Sequence, residues 1–184
     1  MTAIASKSQL RMSFLRYALI TVPGVLLLGT LSGALAGAGS ANLWFAALRK
    51  PPWMPPGWTF GAVWTCLYIL IGLSLAMVLH AKGAKGRQKT VMLFALELVL
   101  AFAWPFLFFA WHQVNVALSI VVAMLVVAVA LVLMAWRIRA LAGLLLYPLI
   151  AWLMFAALLN FQIGERNPDA ATLAPHSIST DIPL

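Results

Sequence analysis

Five long apolar runs divide the chain, near residues 14–37, 59–81, 90–111, 116–136 and 140–163, with short polar or basic segments between them. Each run is about twenty residues or longer, enough for a helix rising 1.5 Å per residue to cross the roughly 30 Å hydrocarbon core of a bilayer. The pattern predicts an all-α integral membrane protein, a single domain over residues 1–163 built as a bundle of five transmembrane helices. A polar, proline-containing stretch follows over 164–184 and is expected to be a disordered tail. The connectors are short except the first, where a Pro/Trp-rich loop between the first and second runs is expected to act as a lid over the bundle.

Composition narrows the class. Hydrophobic residues make up 64% of the chain and charged residues 9%, too little charge to cover a soluble surface. The net charge of +8 lies in clusters between the runs rather than along one face, so it reads as membrane topology and not as a nucleic-acid footprint. Lys and Arg number three before or at the start of the first run, four in the 82–89 turn and two at 137–139. The opposite set (first loop, 112–115 connector, tail) holds two, none and one. The excess places the N-terminus inside and the first loop outside, in a bacterial cell membrane or an outer mitochondrial-type membrane. The basic leader and Ala34-Leu35-Ala36 look like a signal peptide, but the apolar run exceeds the usual 7–15 residues, so the first helix is expected to be retained. Cys66 is the only cysteine. It allows no intrachain disulfide and reads as a small buried hydrophobe.

Candidate chemistry is sparse. Gly29, Gly33 and Gly37 recur every four residues on one face of the first helix, which lets another helix approach closely, either within the chain or in a dimer. A short interfacial helix is expected over Ser40–Leu48, with Trp44 and Phe45 at headgroup level. Two Pro-Pro pairs (Pro51-Pro52, Pro55-Pro56) around Trp53 then give a stiff extended segment with few backbone donors. Arg49 and Lys50, just before it, can meet a lipid phosphate or a ligand carboxylate. In the second helix Phe60, Trp64 and Tyr68 share a face, suited to a flat apolar ligand. In the third, Glu97, Ala101, Trp104 and Phe108 share a stripe that is expected to face the same cavity. Glu97 is an acid inside the bilayer and by default a functional hypothesis, set against a hydrogen-bonded acid facing the bundle. Pro105 should kink that helix and free a carbonyl. The fourth run carries no chemistry and is expected against lipid. His80 and His112 stand alone at helix ends. No P-loop, HExxH, CxxCH or GxSxG motif occurs, so no catalytic residue and no metal site is assigned.

Three ordered blocks carry a resemblance. Trp44…Lys50-Pro51-Pro52-Trp53-Met54-Pro55-Pro56-Gly57-Trp58…Trp64…Tyr68, Ala103-Trp104-Pro105…Phe108-Phe109 and Leu145-Leu146-Tyr147-Pro148…Trp152…Phe155…Asn160 are together similar to the translocator protein family, which includes the tryptophan-rich sensory proteins and the peripheral-type benzodiazepine receptor. The resemblance implies a five-helix bundle, usually a homodimer, that binds porphyrins such as protoporphyrin IX and other apolar ligands between the helices, with no obligatory cofactor. It implies Trp64 and Trp152 facing the ligand, with Trp53, Trp104, Phe108 and Ala156 at other pocket positions. Phe155 falls in the same block. The chain departs from the family at Phe45, Ala101 and Leu149, each of which removes a polar group. The family's sterol-recognition pattern survives only as Leu159, Phe161 and Arg166, with Phe161 where a Tyr is needed, which argues against sterol binding. The expected function is a membrane receptor or sensor for tetrapyrroles, working among lipids. The alternatives are a transporter of porphyrins or lipids and an enzyme that degrades porphyrin photo-oxidatively.

Overall fold

The structure, a computed structural model, describes residues 7–173, with side chains from residue 12 onward. The leader before residue 7 and the expected disorder of 174–184 lie outside the described residues. Helix α1 spans Lys7–Leu35, α2 Leu43–Ala47, α3 Gly57–His80, α4 Arg87–Pro105, α5 Val114–Ile138, α6 Ala140–Leu144 and α7 Tyr147–Arg166; no strand occurs among the described residues. α1, α3, α4 with its extension to Ala110, α5, and α6 with α7 are five segments long and apolar enough to cross a membrane.

Proline shapes two of these spans. Pro105 has no N–H for the ladder, and the next turn, Phe106–Ala110, widens to π geometry, with Trp111 N–H donating to Phe106 O at 2.9 Å. In the loosened turn, the Ser32 hydroxyl donates to Phe102 O at 2.6 Å. Pro148 likewise offers no N–H to the Leu144 carbonyl. The fifth span therefore stops at Leu144 and restarts at Tyr147 with proline in its first turn.

The inner halves of α1 and α3 lie almost backbone to backbone. A Cβ added at Gly72 would sit 2.7 Å from Val22 Cα, and Thr21 Oγ1 donates to Gly72 O at 2.7 Å. One turn further out, Gly29 leaves the space that the Tyr68 ring fills. Gly37 has φ +67° and ends α1. Of the three glycines spaced four apart, Gly29 is therefore used inside the chain by Tyr68, while a Cβ at Gly33 would meet only Ala38, at 3.9 Å.

The fourth span is a correction. Its α5 is the central helix, packed on α4, α6 and α7. Ala117, Val121, Met124, Ala128, Leu131, Val132 and Ala135 are buried. The small residues let neighbouring helices close on one face, while Val122, Val126, Val129 and Leu133 stay exposed on the other. Cys66 is exposed rather than buried.

The segment after the fifth span differs from the expected free tail. α7 runs to Arg166, and the chain to residue 173 folds back under the first loop. Trp44 is buried within the protein, and its Nε1 donates to Ala170 O at 2.7 Å. The Asn167 carboxamide grips one residue of the loop from both sides. Its Oδ1 accepts from Arg49 N at 2.8 Å, and its Nδ2 donates to Arg49 O at 3.0 Å. The same nitrogen donates to Ile163 O at 2.8 Å, so the C-cap side chain is fixed to its own helix as well.

Candidate ligand site

Beneath the first loop the helices part around a cavity of about 530 Å³, within the roughly 300–1,000 Å³ of small-molecule sites. Phe45 and Met54 of the loop wall its outer end, and Tyr68, Ala101, Val121 and Met124 lie at its inner end. At 1.5 Å per residue that floor is roughly 15 Å below the helix ends. The walls are aromatic. Trp64 leans on Tyr68 (centroids 5.3 Å, 33°), Phe60 meets Trp152 edge to face (5.6 Å, 70°), and Trp104 stacks on Phe108 (5.0 Å, 16°). Offset and edge contacts of this kind hold rings in fixed planes.

Of the residues singled out from the sequence, the structure brings Phe45, Phe60, Trp64, Tyr68, Ala101, Trp104, Phe108, Trp152 and Ala156 to the cavity wall. Four others stand outside it. Trp44 is committed to Ala170, to Phe108 and to a stack on His112 (4.3 Å, 12°). Pro51 is a buried residue of the loop itself. Trp53 is 43% exposed and touches Phe155 edge on, and Phe155 backs Trp152. The sterol-motif remnant splits, because residues two apart on a helix face different ways: Leu159 joins the cavity wall, whereas Phe161 and Arg166 are exposed.

The basic pair does not enter the cavity either. Lys50 Nζ donates to Ala46 O (3.2 Å) and Leu48 O (3.4 Å) and sits 4.7 Å over the Phe45 ring. Partial burial holds its pKa below the usual lysine value. Arg49 is exposed on the loop. Glu97 is also absent from the wall, although its stripe partners Ala101, Trp104 and Phe108 are there. It lies one turn deeper, fully buried, with no partner for either carboxylate oxygen among the described residues. His80 lies at the opposite membrane face, where its Nδ1 is 3.0 Å from Arg139 Nη2.

Several wall residues escaped the sequence reading. α1 contributes Gly29, Thr30, Gly33 and Ala34, and α5 contributes Val121 and Met124. Small and aliphatic residues give no chemical signal of a site. Asn160 did give one, as a buried-span amide. Its Nδ2 donates to Val114 O at 2.8 Å. That carbonyl can only accept, so the nitrogen must face it, and Oδ1 is left buried without a partner among the described residues, as are Trp104 Nε1 and Trp152 Nε1.

The profile of the TspO/MBR family matches residues 20–166, which span every one of these walls. The chain belongs to the TspO/MBR family. It is 37% identical over 143 residues to the translocator protein of Bos taurus, covering 76% of this chain and 84% of the relative. It is 37% identical over 129 residues to the tryptophan-rich protein TspO of Chlorobaculum tepidum (70% and 82%). Against the tryptophan-rich sensory protein of Cereibacter sphaeroides the identity is 30% over 124 residues (67% and 77%). Family membership and the five apolar spans together make this TspO/MBR protein an integral, multi-pass membrane protein.

Proposed function

We propose that the protein is a membrane receptor or sensor that holds a flat apolar ring system, a tetrapyrrole of the porphyrin type, in the cavity beneath the first loop. The observation that carries this reading is the wall itself: Phe60, Trp64, Trp104, Phe108 and Trp152 surround one apolar space large enough for a ring ligand. A planar macrocycle buries both faces against such rings and needs few polar contacts. The sensory role follows a relative named as a sensory protein. The three unpartnered polar atoms in wall residues, Trp104 Nε1, Trp152 Nε1 and Asn160 Oδ1, offer two donors and one acceptor to a ligand that reaches them. Acidic substituents on the ring belong at the outer end, toward Arg49, since no cation lines the cavity among the described residues.

The test is a titration with protoporphyrin IX, followed by the porphyrin's own absorption shift, in the parent and in the Trp64→Ala/Trp152→Ala double variant. Two lost stacks at about 0.5–1.5 kcal/mol each weaken binding roughly 5- to 150-fold, before lost burial is added. Equal, saturable affinity in both proteins would remove the ligand from this cavity. A shift that never saturates in either would mean partition into detergent.

A further inference from the structure

We infer that the cavity opens sideways into the bilayer between α1 and α3, and that it takes up hydrocarbon-dissolved occupants, lipid acyl chains among them, through that mouth rather than past the first loop. Every lining residue that is exposed belongs to α1, to the start of the loop or to the first two turns of α3; none belongs to α4, α5 or α7, whose wall positions are buried or half-buried. The opening therefore has one direction.

Its edges are Thr30 and Ala34 on one side and Trp58 and Gly61 on the other. Thr30 lies five residues before the end of α1 and Gly61 four after the start of α3, so the mouth runs from the helix ends to roughly 6–8 Å inside them. Deeper, the two helices close on each other at Val22–Gly72 and Gly29–Tyr68. Toward the loop, two of the edge positions, Ala34 and Gly61, are small and exposed. Gly61 has no atom within 4 Å of where a Cβ would sit. The edge is also compatible with hydrocarbon. The Thr30 hydroxyl donates to Leu26 O (2.8 Å), and the Thr65 hydroxyl just inside donates to Gly61 O (2.8 Å). Both hydroxyls are tied back to their own helix, so neither needs a partner from lipid.

The other route is fastened. The loop is held by both sides of the Asn167 carboxamide and by the buried Trp44 indole on Ala170 O. Loop opening must break these bonds, whereas the lateral mouth is open with no bond broken. The inference concerns how the cavity is filled and does not depend on which ligand is native.

The experiment uses the full chain in phospholipid vesicles that contain a lipid with a diazirine in its acyl chain. Adducts are mapped by mass spectrometry after illumination. The parent is expected to carry adducts on cavity residues such as Trp64 and Ala156 as well as on lipid-facing Leu27 and Val126. Gly61→Phe, whose side chain enters open space at the mouth, is expected to lose at least nine-tenths of the cavity adducts. The Leu27 and Val126 adducts should persist and report an intact fold. Asn167→Ala is expected to leave the cavity adducts unchanged. Three results would overturn the inference: no cavity adducts in the parent, as when a partner copy covers the mouth; undiminished cavity adducts in Gly61→Phe; or cavity adducts that rise severalfold in Asn167→Ala.

Discussion

Replacing Asn167 by alanine removes a side chain that ties the first loop to the end of α7, and leaves the Trp44 bond to Ala170 in place. Asn167 is 4% exposed and makes two bonds across to Arg49, one from each end of its carboxamide. Arg49 is exposed, so water replaces the lost partners and each bond is worth its net value, about 0.5–1.5 kcal/mol, rather than a full desolvation penalty. The pair then stabilises the closed loop by about 1–3 kcal/mol, and the open fraction rises roughly 5- to 150-fold. The third bond, to Ile163 O, lies within the helix end and frays only the last turn. Amide hydrogen exchange measures the change directly, since local opening is read residue by residue. In Asn167→Ala, the amides of residues 43–54 should exchange faster by that factor, with α5 unchanged. Asn167→Asp keeps the acceptor for Arg49 N–H and loses the donor, so its effect should be intermediate. Unchanged exchange over 43–54 would refute the reasoning, and so would acceleration spread evenly over α5, which reports global rather than local opening.

Two further substitutions test the bundle. Gly72→Ala places a methyl 2.7 Å from Val22 Cα and should lower stability by about 1–3 kcal/mol through overpacking; Gly24→Ala, with nothing within 4 Å, should be neutral or slightly stabilising. Equal melting temperatures for the two variants would contradict the backbone-to-backbone contact of α1 and α3. Glu97→Met keeps the volume while removing a buried carboxyl that has no partner. It should raise stability in detergent by about 1–3 kcal/mol, and a clear loss of stability would show that the carboxyl has a partner in the folded protein.

The order and length of the apolar runs determined the five spans, because a bilayer sets the length of a helix that crosses it and allows no unpaired backbone within it. The two aromatic stripes were legible for a similar local reason: helical spacing fixes that Phe60, Trp64 and Tyr68 share a face, and Ala101, Trp104 and Phe108 another. Which neighbour a face meets is a long-range matter, and there the sequence was silent. Trp44 and Trp53 look alike as interfacial tryptophans, yet one is buried on Ala170 and the other stands outside the cavity. Glu97 shares a stripe with three cavity residues but lies one turn below the floor, since depth along a stripe depends on where other helices close in. The glycines of α1 suit a partner copy as well as a neighbour within the chain, and only the structure shows that Gly29 makes room for Tyr68. No polar residue in the middle of α5 marks it as central, and its packing on α4, α6 and α7 reveals its place. Spacing along one chain is fixed by its own covalent geometry; the meeting of residues a hundred or more positions apart, such as Arg49 and Asn167, is decided only when the helices pack.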